Sequence, residues 1–369
     1  MKKILFISHE FSIGGSTLAF SQLIRFFHSL GFDGEIITQM EGPLRDELNP
    51  LGYKIYVVNN LIEQYKLLYT LKDNDYNMVF CNSLMTFYAI QTMESLNYRM
   101  PVFWWIHEGD SIFARFKEKL PEIDKLPINF HILAVSPQVS DVIYSYYSVR
   151  VTDILPIYSP ENEPDSEAIS FAENYWNSFA GNNKLRLICI GPLGWIKGQD
   201  ILSDALLSLE KDYTSKIYVT MVLGSLTAIS EVYEKVNSVI QKYHSINLIS
   251  ELPHSKLMSL VRKADFLVAP SREDTLSSVS VEALTQKTPI IISDACGISG
   301  FISRNSLMND FIFRAGDVTM LADKIRLAAG VKKDIDSYLE YQIEGTMLYS
   351  KAFSLNAFTE KIAQILSNI

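Results

Sequence analysis

The sequence has few cysteines, and those it has are widely separated. Its 369 residues contain only Cys81, Cys189 and Cys296. Three thiols so far apart in the chain do not form the spacing of a disulfide framework or a zinc site. We therefore expect a reducing, cytoplasmic location.

The sequence also lacks a long apolar run and an excess of positive charge. No run approaches the roughly 18 apolar residues of a membrane-spanning helix, and Ile4–Ile7 is too short for a secretory signal. The net charge of −9 disfavours a nucleic-acid binder, which needs a basic surface. Residues 111–120 are mildly basic and amphipathic, a pattern that fits either peripheral contact with the inner face of a membrane or, more simply, a solvated helix face.

Several catalytic motifs are missing as well. No glycine-rich segment ends in Gly-Lys-Ser/Thr and no G-x-S-x-G is present, which disfavours P-loop phosphoryl transfer and serine hydrolysis. Asp73-Asn74-Asp75 has the D-x-D pattern of some metal sites, but it precedes a predicted strand, away from the edge where ligands bind, so we interpret it as a loop. No other cluster has metal-ligand spacing, and we expect neither a metal nor another cofactor.

What the sequence does contain is an alternation of short apolar runs and helical patterns, repeated on both sides of a linker. At 369 residues the chain is long enough for two domains. Runs such as KILFIS and LRLICIG are apolar on both faces, which is typical of parallel strands covered by helices. The Pro-rich segment 156–183 separates the two arrays. We predict an α/β protein with two Rossmann-like, doubly wound domains and a crevice between them.

Ligands of such sheets bind beyond the carboxyl ends of the strands, and two glycine loops lie there. In SIGGST, Gly14 and Gly15 precede a helix that we predict to begin at Ser16 or Thr17, so a phosphate could approach the backbone closely. A plain tight turn explains the same residues. GPLGWIKGQD repeats the arrangement in the second array, where Lys197 could hold a diphosphate or be an ordinary solvated lysine.

Histidines follow two strands of the first array. His107 comes directly after an apolar strand and stands beside Glu108, and His9 precedes Glu10 after the first strand. A histidine at this edge can bond a substrate hydroxyl or carry a proton. A structural histidine bonded to a nearby carboxylate is an equally good interpretation.

The stretch SREDTLSSVSVEAL, residues 271–284, holds three carboxylates: Glu273, Asp274 and Glu282. It follows the predicted strand DFLVAP, and Ser277 or Ser278 is a plausible N-cap for a helix over residues 279–286. The free N–H groups of that helix would point where a diphosphate could lie. Glu282 alone could be a surface acid favoured by the helix dipole, whereas a loop acid and a helix acid together could bracket a sugar nucleotide.

Residues 246–300, INLISE to GISG, resemble the donor half of family 4 glycosyltransferases, enzymes of the GT-B fold. The family pattern has an acid, seven residues and a Glu after a strand that ends in Pro-Ser. Asp274 and Glu282 match that spacing, and Glu273 is one residue too far away. GPLGWIKGQDIL, SHEFSIGGST, WWIHE and SLNAFTEKIAQIL resemble the family's Lys-Gly segment, first glycine loop, histidine-bearing strand end and closing helix.

This chain departs from the family pattern at several positions. The first acid is usually Glu, and here it is Asp274. Glycines that commonly follow it are replaced by Thr275 and Ser277. An arginine often found before the Lys-Gly segment is replaced by Pro192, and Gly300 stands where a later G-x-x-E has its acid. These differences bear on which donor is bound more than on the fold.

The resemblance implies a domain at 1–175 that binds the acceptor, a donor domain at 176–350, and a helix at 351–369 that packs back on the first domain. It also implies transfer of a sugar from a nucleoside-diphosphate sugar to an acceptor hydroxyl, with retention of configuration and without a metal. In this interpretation Asp274 positions the donor sugar, Glu282 holds the ribose and His107 bonds a sugar hydroxyl. The remaining donor-binding residues are then Gly14, Gly15, Lys197, Thr275, Leu276, Ser277 and Ser278.

Two alternatives remain open at this point. A sugar-nucleotide epimerase shares the architecture, and a GT-B-like subunit without activity could bind a partner instead. The acceptor is not encoded in any motif of the first domain, whether it is a glycan, a lipid-linked sugar or a protein. A role in surface-polysaccharide synthesis is an expectation by association.

Overall fold

The computed structural model describes residues 2–161, 163–179, 184–223 and 231–367. The chain divides into two compact units, one made of Met1–Ile157 with Glu360–Ile369 and the other of Tyr158–Thr359. The predicted strand at 216–224, the start of the helix after it and the predicted linker at 156–183 lie partly outside the described residues.

The first unit is a parallel sheet with helices between its strands. The strands are β1 (Lys3–Ser8), β2 (Asp33–Thr38), β3 (Lys54–Val57), β4 (Met78–Asn82), β5 (Val102–Ile106) and β6 (Phe130–Ala134). The helices are α1 (Gly15–Ser29), α2 (Leu44–Leu48), α3 (Leu61–Leu71), α4 (Phe87–Ser95), α5 (Asp110–Phe116) and α6 (Pro137–Tyr147). Helix α1 therefore begins at Gly15, one or two residues before the predicted start.

The second unit has the same organisation. It begins with α7 (Ser166–Phe179) and contains β7 (Leu185–Ile190), α8 (Gln199–Ser208), α9 (Lys211–Thr214), β8 (Ile217–Val222), α10 (Glu231–Lys242), β9 (Ile246–Ile249), α11 (His254–Lys263), β10 (Phe266–Ala269), α12 (Ser278–Thr285), β11 (Ile290–Ser293) and β12 (Ile312–Phe313). Helices α13 (Val318–Val331), α14 (Ile335–Ala352) and α15 (Leu355–Ser367) complete the chain.

Both sheets have the strand order of the Rossmann fold. The first runs β3-β2-β1-β4-β5-β6 and the second β12-β11-β10-β7-β8-β9, the same order read from the opposite edge. All described strand pairs are parallel. In this order the direction of winding reverses between β1 and β4 and between β7 and β10, and ligands bind beyond the carboxyl ends of the strands at such points. The fold thus predicts that ligands bind at the loops after β1, β4, β7 and β10.

The sheets are covered on both faces, which explains their continuous apolar strands. Ile4, Leu5 and Phe6 of β1 are completely buried, and Phe6 lies beside Ile36 of β2 and Phe80 of β4. Strand β10 is likewise buried along its whole length. A strand apolar on both faces is stable only between two layers of helices, so the sequence pattern and the observed architecture have the same cause.

The first unit runs to Ile157 and the second begins at Tyr158, whereas the resemblance implied a domain boundary at 175/176. The difference comes from α7, which packs in the second unit. The indole N–H of Trp176, a fully buried residue, donates to the carbonyl oxygen of Leu260 on α11 at 3.1 Å. Nearby, the N–H of Ser159 donates to the carbonyl oxygen of Phe353 at 3.0 Å, which fixes the start of the unit to the end of α14.

Among the described residues, no helix combines the length and the apolar character that crossing a membrane requires.

Candidate functional site

In the second unit the loops after β7 and β10 are in direct contact. Gly198 lies at their closest approach, where a Cβ atom would stand 2.0 Å from the carbonyl oxygen of Pro270. Gly198 also has a φ of +71°, a conformation that favours glycine. We call residues 191–198, between β7 and α8, the Lys197 loop. A glycine is therefore required at the end of this loop.

Lys197 and Asp274, predicted from separate motifs, form an ion pair across these two loops. The ammonium Nζ of Lys197 donates to Oδ2 of Asp274 at 2.7 Å, and the side chains are 31% and 12% exposed. Burial acts to lower the pKa of Lys197, but the carboxylate of Asp274 outweighs it, so the pKa is raised above its usual value. Lys197 is consequently a fixed positive charge at physiological pH.

Asp274 also organises the start of α12. Its Oδ1 accepts a hydrogen bond from the N–H of Ser277 at 2.8 Å, and Ser277 is the N-cap residue in a left-handed conformation, with φ +69°. Ser277 thus stands at the predicted N-cap position. However, its hydroxyl lies 2.8 Å from that of Ser280 and caps no backbone group. The first N–H groups of α12 are left without a side-chain cap.

The four residues after Asp274 differ in their exposure to solvent. Leu276 and Ser277 are buried, Thr275 is partly exposed and Ser278 is exposed. The carbonyl oxygen of Leu276 accepts from the N–H of Ile298 at 3.0 Å, which ties the loop to the chain after β11. Of these four residues, only Thr275 and Ser278 therefore present side-chain surface to solvent.

Glu282 has a specific partner that the sequence did not indicate. Its Oε1 lies 3.0 Å from Nε2 of His254, the first residue of α11. The hydrogen bond to Glu282 raises the pKa of His254, against a smaller effect of burial. Glu282 is 27% exposed and His254 60%, so the carboxylate is oriented but remains accessible.

Sequence reasoning missed a second ion pair, between Arg272 and Asp200. The guanidinium donates to both carboxylate oxygens of Asp200, at 2.8 and 2.6 Å, and to the carbonyl oxygen of Trp195 at 2.7 Å. The backbone N–H of Arg272 donates to the carbonyl oxygen of Ile196 at 2.7 Å. Bidentate pairs of this kind fix geometry as well as charge. Arg272 thereby attaches the Lys197 loop to the loop that carries Asp274.

In the first unit, the glycine loop after β1 leaves its backbone open. A Cβ atom at Gly15 would meet no atom within 4 Å, so neither crowding nor an unusual φ requires glycine there. The hydroxyl of Thr17 accepts from the N–H of Gly14 at 3.0 Å and donates to the carbonyl oxygen of Ser12 at 2.7 Å. Hydrogen bonds of the Thr17 side chain thus hold the loop in place, and the space next to the Cα atom of Gly15 is open.

His107 is buried at the end of β5. Among the residues that the structure describes, its Nε2 has no hydrogen-bond partner, and the same is true of Oδ1 of Asn82 at the end of β4. Burial, with a smaller contribution from His9, lowers the pKa of His107 to about 3, so the imidazole is neutral at physiological pH. Buried polar atoms are normally hydrogen-bonded, which makes both atoms candidates for contact with a ligand.

Ser83, after β4, connects His9 to this region in a strained conformation. Its φ of +76° and ψ of 156° fall in a region that almost only glycine occupies, at a cost of about 1–3 kcal/mol. The N–H of Ser83 donates to the carbonyl oxygen of Trp105 at 2.7 Å and its hydroxyl lies 3.2 Å from Nδ1 of His9. Strained backbone conformations are concentrated at functional sites. No sequence motif predicted the strain at Ser83.

Glu108 contacts the same region as His107 and Ser83. Its Oε2 accepts from the N–H groups of Leu84 at 2.7 Å and His107 at 3.1 Å. Burial raises the pKa of this carboxyl, and these two donors together with the Ser83 hydroxyl oppose the increase. The alternative interpretation of His107, a structural histidine bonded to a carboxylate through its ring, does not fit, because Glu108 bonds its backbone instead.

The buried, neutral state of His107 leads to a prediction about pH. With a pKa near 6.5 unfolded and about 3 folded, the unfolded chain binds the extra proton between these values, so stability falls as pH falls through this window. At pH 5 the loss is about 2 kcal/mol. Urea unfolding of the wild type and His107→Gln at pH 7, 6 and 5 should show the wild type losing more stability.

Glu108 titrates with the opposite sign, since a raised carboxyl pKa favours the folded state at low pH. It is present in both proteins, so the difference between the two profiles isolates His107. Parallel profiles between pH 7 and 5 would contradict the assignment of a buried, neutral imidazole.

Among the described residues, no group of three His, Cys, Asp or Glu side chains is arranged to hold a metal ion. Asp73-Asn74-Asp75 lies between α3 and β4, before the strand.

Comparison with known families covers most of the chain. The family model for glycosyl transferases group 1 matches residues 171–336, and that for glycosyl-transferase family 4 matches residues 1–152. The chain belongs to glycosyltransferase family 4. The first match includes Lys197, Asp274 and Glu282, and the second includes Gly14, Gly15 and His107.

Individual relatives are distant. The chain is 24% identical over 164 residues to the O-antigen chain mannosyltransferase RfbU of Salmonella typhimurium, and this match covers 44% of the chain and 42% of that protein. The matched region is thus less than half of the relative's length.

Solved structures agree on the fold. Anabaena Alr3699/HepE in complex with UDP has a TM-score of 0.78 at 17% identity over the full length of both chains. The apo form of the lipopolysaccharide outer core galactosyltransferase WaaB has a TM-score of 0.73 at 14% identity, also over both full chains. The predicted GT-B fold, with two Rossmann-like domains, is confirmed.

Proposed function

We propose that this family 4 glycosyltransferase moves a sugar from a nucleoside-diphosphate sugar to an acceptor hydroxyl, with retention of configuration. The observation that supports this most directly is the ion pair between Lys197 and Asp274, at the point in the second sheet where the fold places ligands. It combines a cation for a diphosphate with a carboxylate for sugar hydroxyls in one rigid unit.

Stabilisation of the leaving group needs positive charge that is already in place. Lys197 supplies a full charge, and the uncapped N–H groups at the start of α12 supply partial charges directed at a common anion. The open backbone at Gly14–Gly15 offers a further approach for a phosphate. We therefore propose that the leaving diphosphate is stabilised by the protein alone, with no metal ion.

The acids have separate roles in this proposal. Asp274 holds the donor sugar, because its carboxylate is fixed by Lys197 and Ser277 and can still accept from hydroxyls. Glu282 accepts from the ribose hydroxyls and is oriented for that by His254. Because Asp274 is committed to two hydrogen bonds, it is better suited to positioning than to nucleophilic attack, which fits a mechanism in which the donor phosphate helps to deprotonate the acceptor.

His107 would bond a hydroxyl of the sugar. Its buried Nε2 without a protein partner suits that contact, because a neutral imidazole can donate to or accept from a hydroxyl. Thr275, Leu276, Ser277 and Ser278 would line the donor. The names of the matched mannosyl- and galactosyltransferases favour a role in glycan synthesis. We propose that this role is cytoplasmic, with peripheral membrane contact where the acceptor is lipid-linked.

Incubation with a panel of nucleotide sugars tests this function. A true donor at 100 times its dissociation constant should stabilise the protein by about 2.7 kcal/mol, measured as a rise in melting temperature, and mass spectrometry should show release of the nucleoside diphosphate when an acceptor is present. No shift with any nucleotide or nucleotide sugar would contradict the proposal. A product with the donor's own mass and a changed sugar would instead identify an epimerase, and binding without turnover would identify a partner subunit.

A further inference from the structure

Trp195 is exposed in a chain that buries every other tryptophan. The protein contains four tryptophans. Trp104, Trp105 and Trp176 are at most 1% exposed, whereas Trp195 is 64% exposed. Single exposed apolar residues are common on protein surfaces, so exposure alone assigns no role to this one.

What distinguishes Trp195 is that it is held rigidly. The guanidinium of Arg272 lies over its ring, 4.8 Å from the ring centroid, and donates to its carbonyl oxygen at 2.7 Å. Arg272 is itself fixed by two hydrogen bonds to Asp200. One face of the indole is therefore covered by a cation, an attractive arrangement, and the other is presented to solvent in a defined orientation.

The position of Trp195 relates it to the proposed donor residues. It stands two residues before Lys197 in the same loop, and its contact, Arg272, stands two residues before Asp274. Glu282, which we assign to the ribose, lies beyond Asp274 on α12 and contacts His254 instead. Trp195 is thus linked through Arg272 to both of the loops that carry the Lys197–Asp274 pair.

We propose that Trp195 is a binding platform for a pyranose ring of the acceptor. The axial C–H groups of a pyranose form a flat apolar face that matches an indole ring, and aromatic side chains bury a large area at small cost in conformational freedom. Because Arg272 fixes the ring before a ligand binds, little further ordering is needed. This inference rests on the proposed function, since it takes the sugar of the donor to be held by Asp274 and assigns a second sugar to Trp195.

The burial of the other three tryptophans makes a direct test available. Acrylamide quenches exposed tryptophan fluorescence, so nearly all quenching in the wild type should come from Trp195, and Trp195→Phe provides the background. Methyl glycosides of glucose, mannose and galactose serve as probes, alone and with UDP or GDP. We expect at least one glycoside to reduce the quenching constant of Trp195 about twofold, after correction for viscosity with free N-acetyltryptophanamide.

Substitution shows whether aromaticity is what binds the sugar. For the glycoside that protects Trp195, the saturation-transfer NMR signal of its ring protons should be retained in Trp195→Phe and reduced about fivefold in Trp195→Leu, the loss of about 1 kcal/mol expected for an aromatic contact. Ile343→Ala, a change at another exposed apolar residue of the same unit, should leave the signal unchanged.

Each other outcome overturns the proposal. If no glycoside protects Trp195, or if UDP or GDP alone protects it and glycosides add nothing, Trp195 is not a sugar platform. If Trp195→Leu keeps the full NMR signal, the ring is not the contact. A melting-temperature shift with nucleotide sugars is read separately, so the proposed donor function can stand when this inference fails.

Discussion

Asp274→Ala is expected to lower kcat/KM for sugar transfer by at least about a hundredfold, the scale seen when one preorganised polar contact to a transition state is removed. The carboxylate accepts from Lys197 through one oxygen and from the N–H of Ser277 through the other. Its loss would release the cation that we assign to the diphosphate and remove the proposed contact to the donor sugar. Steady-state kinetics on the donor found in the nucleotide-sugar panel measures the effect.

The fold should survive this change, because the backbone of Asp274 is held independently. Its N–H donates to the carbonyl oxygen of Ala295 at 3.1 Å, and its own carbonyl oxygen accepts from the N–H of Gly297 at 2.7 Å. Asp274→Asn keeps the shape and loses the charge, so it separates the ion pair from the hydrogen bond to Ser277. Circular dichroism and the melting temperature of both variants verify that the loss concerns activity.

The two neighbouring acids provide the comparison. Glu282→Ala should lower kcat/KM for transfer on a similar scale, mainly by weakening donor binding, because it removes the hydrogen-bond acceptor that we assign to the ribose hydroxyls. Glu273→Ala should cost much less, since Glu273 does not match the family spacing. If Glu273→Ala proves the most damaging of the three, the assignment of the pair is wrong by one residue.

The sequence was most informative where local pattern and tertiary structure have the same cause. Strands apolar on both faces predicted parallel sheets, because only a sheet between two helical layers buries both faces. The spacing of Asp274 and Glu282 selected a loop acid and a helix acid, and the structure places them on either side of the N-terminus of α12. The starts of α1 and α12 were predicted within one or two residues, because the glycine and serine residues that precede them mark a local turn.

Features that depend on residues distant in the chain were not predictable in this way. Arg272 and Asp200 are separated by 72 positions, and neither stands in a motif that refers to the other. The strain at Ser83 arises because surrounding hydrogen bonds impose a conformation that its own residue type disfavours. Helix α7 packs in the second unit through Trp176 and Leu260, which a composition-based linker could not indicate. Each is a tertiary effect without a local signal.

Substitution of Arg272 tests a feature in which this chain departs from the family pattern. Relatives often have an arginine before the Lys-Gly segment, where this chain has Pro192. Here the guanidinium of Arg272, from the loop after β10, contacts the loop after β7 instead. It is bound to Asp200 and to the carbonyl oxygen of Trp195, so it acts on the loop's position and not as a free cation. Its removal should therefore affect stability as well as donor binding.

Arg272→Met is expected to lower the free energy of unfolding by about 2–4 kcal/mol at pH 7, somewhat below the range for a fully buried pair, since the side chains of Arg272 and Asp200 are 21% and 12% exposed. Burial acts to raise the pKa of Asp200, but Arg272 outweighs it and holds the pKa below its usual value. The pair's contribution is therefore present above pH 4 and lost as pH falls through the folded-state pKa. Urea unfolding at pH 7 and pH 3.5 should show a smaller difference between wild type and variant at the lower pH, where loss of the contribution has begun.

A matched exposed pair and a double variant decide whether the ion pair is the cause. Arg262 pairs with Glu163, and their side chains are 40% and 82% exposed, so Arg262→Met should cost less than about 1 kcal/mol. Adding Asp200→Asn to Arg272→Met should recover part of the loss, because it removes the unpaired buried carboxylate that the single change leaves behind. Equal losses for Arg272→Met and Arg262→Met would mean that the Arg272–Asp200 pair does not hold the Lys197 loop in place, and the rigidity that we assign to both Lys197 and Trp195 would need another source.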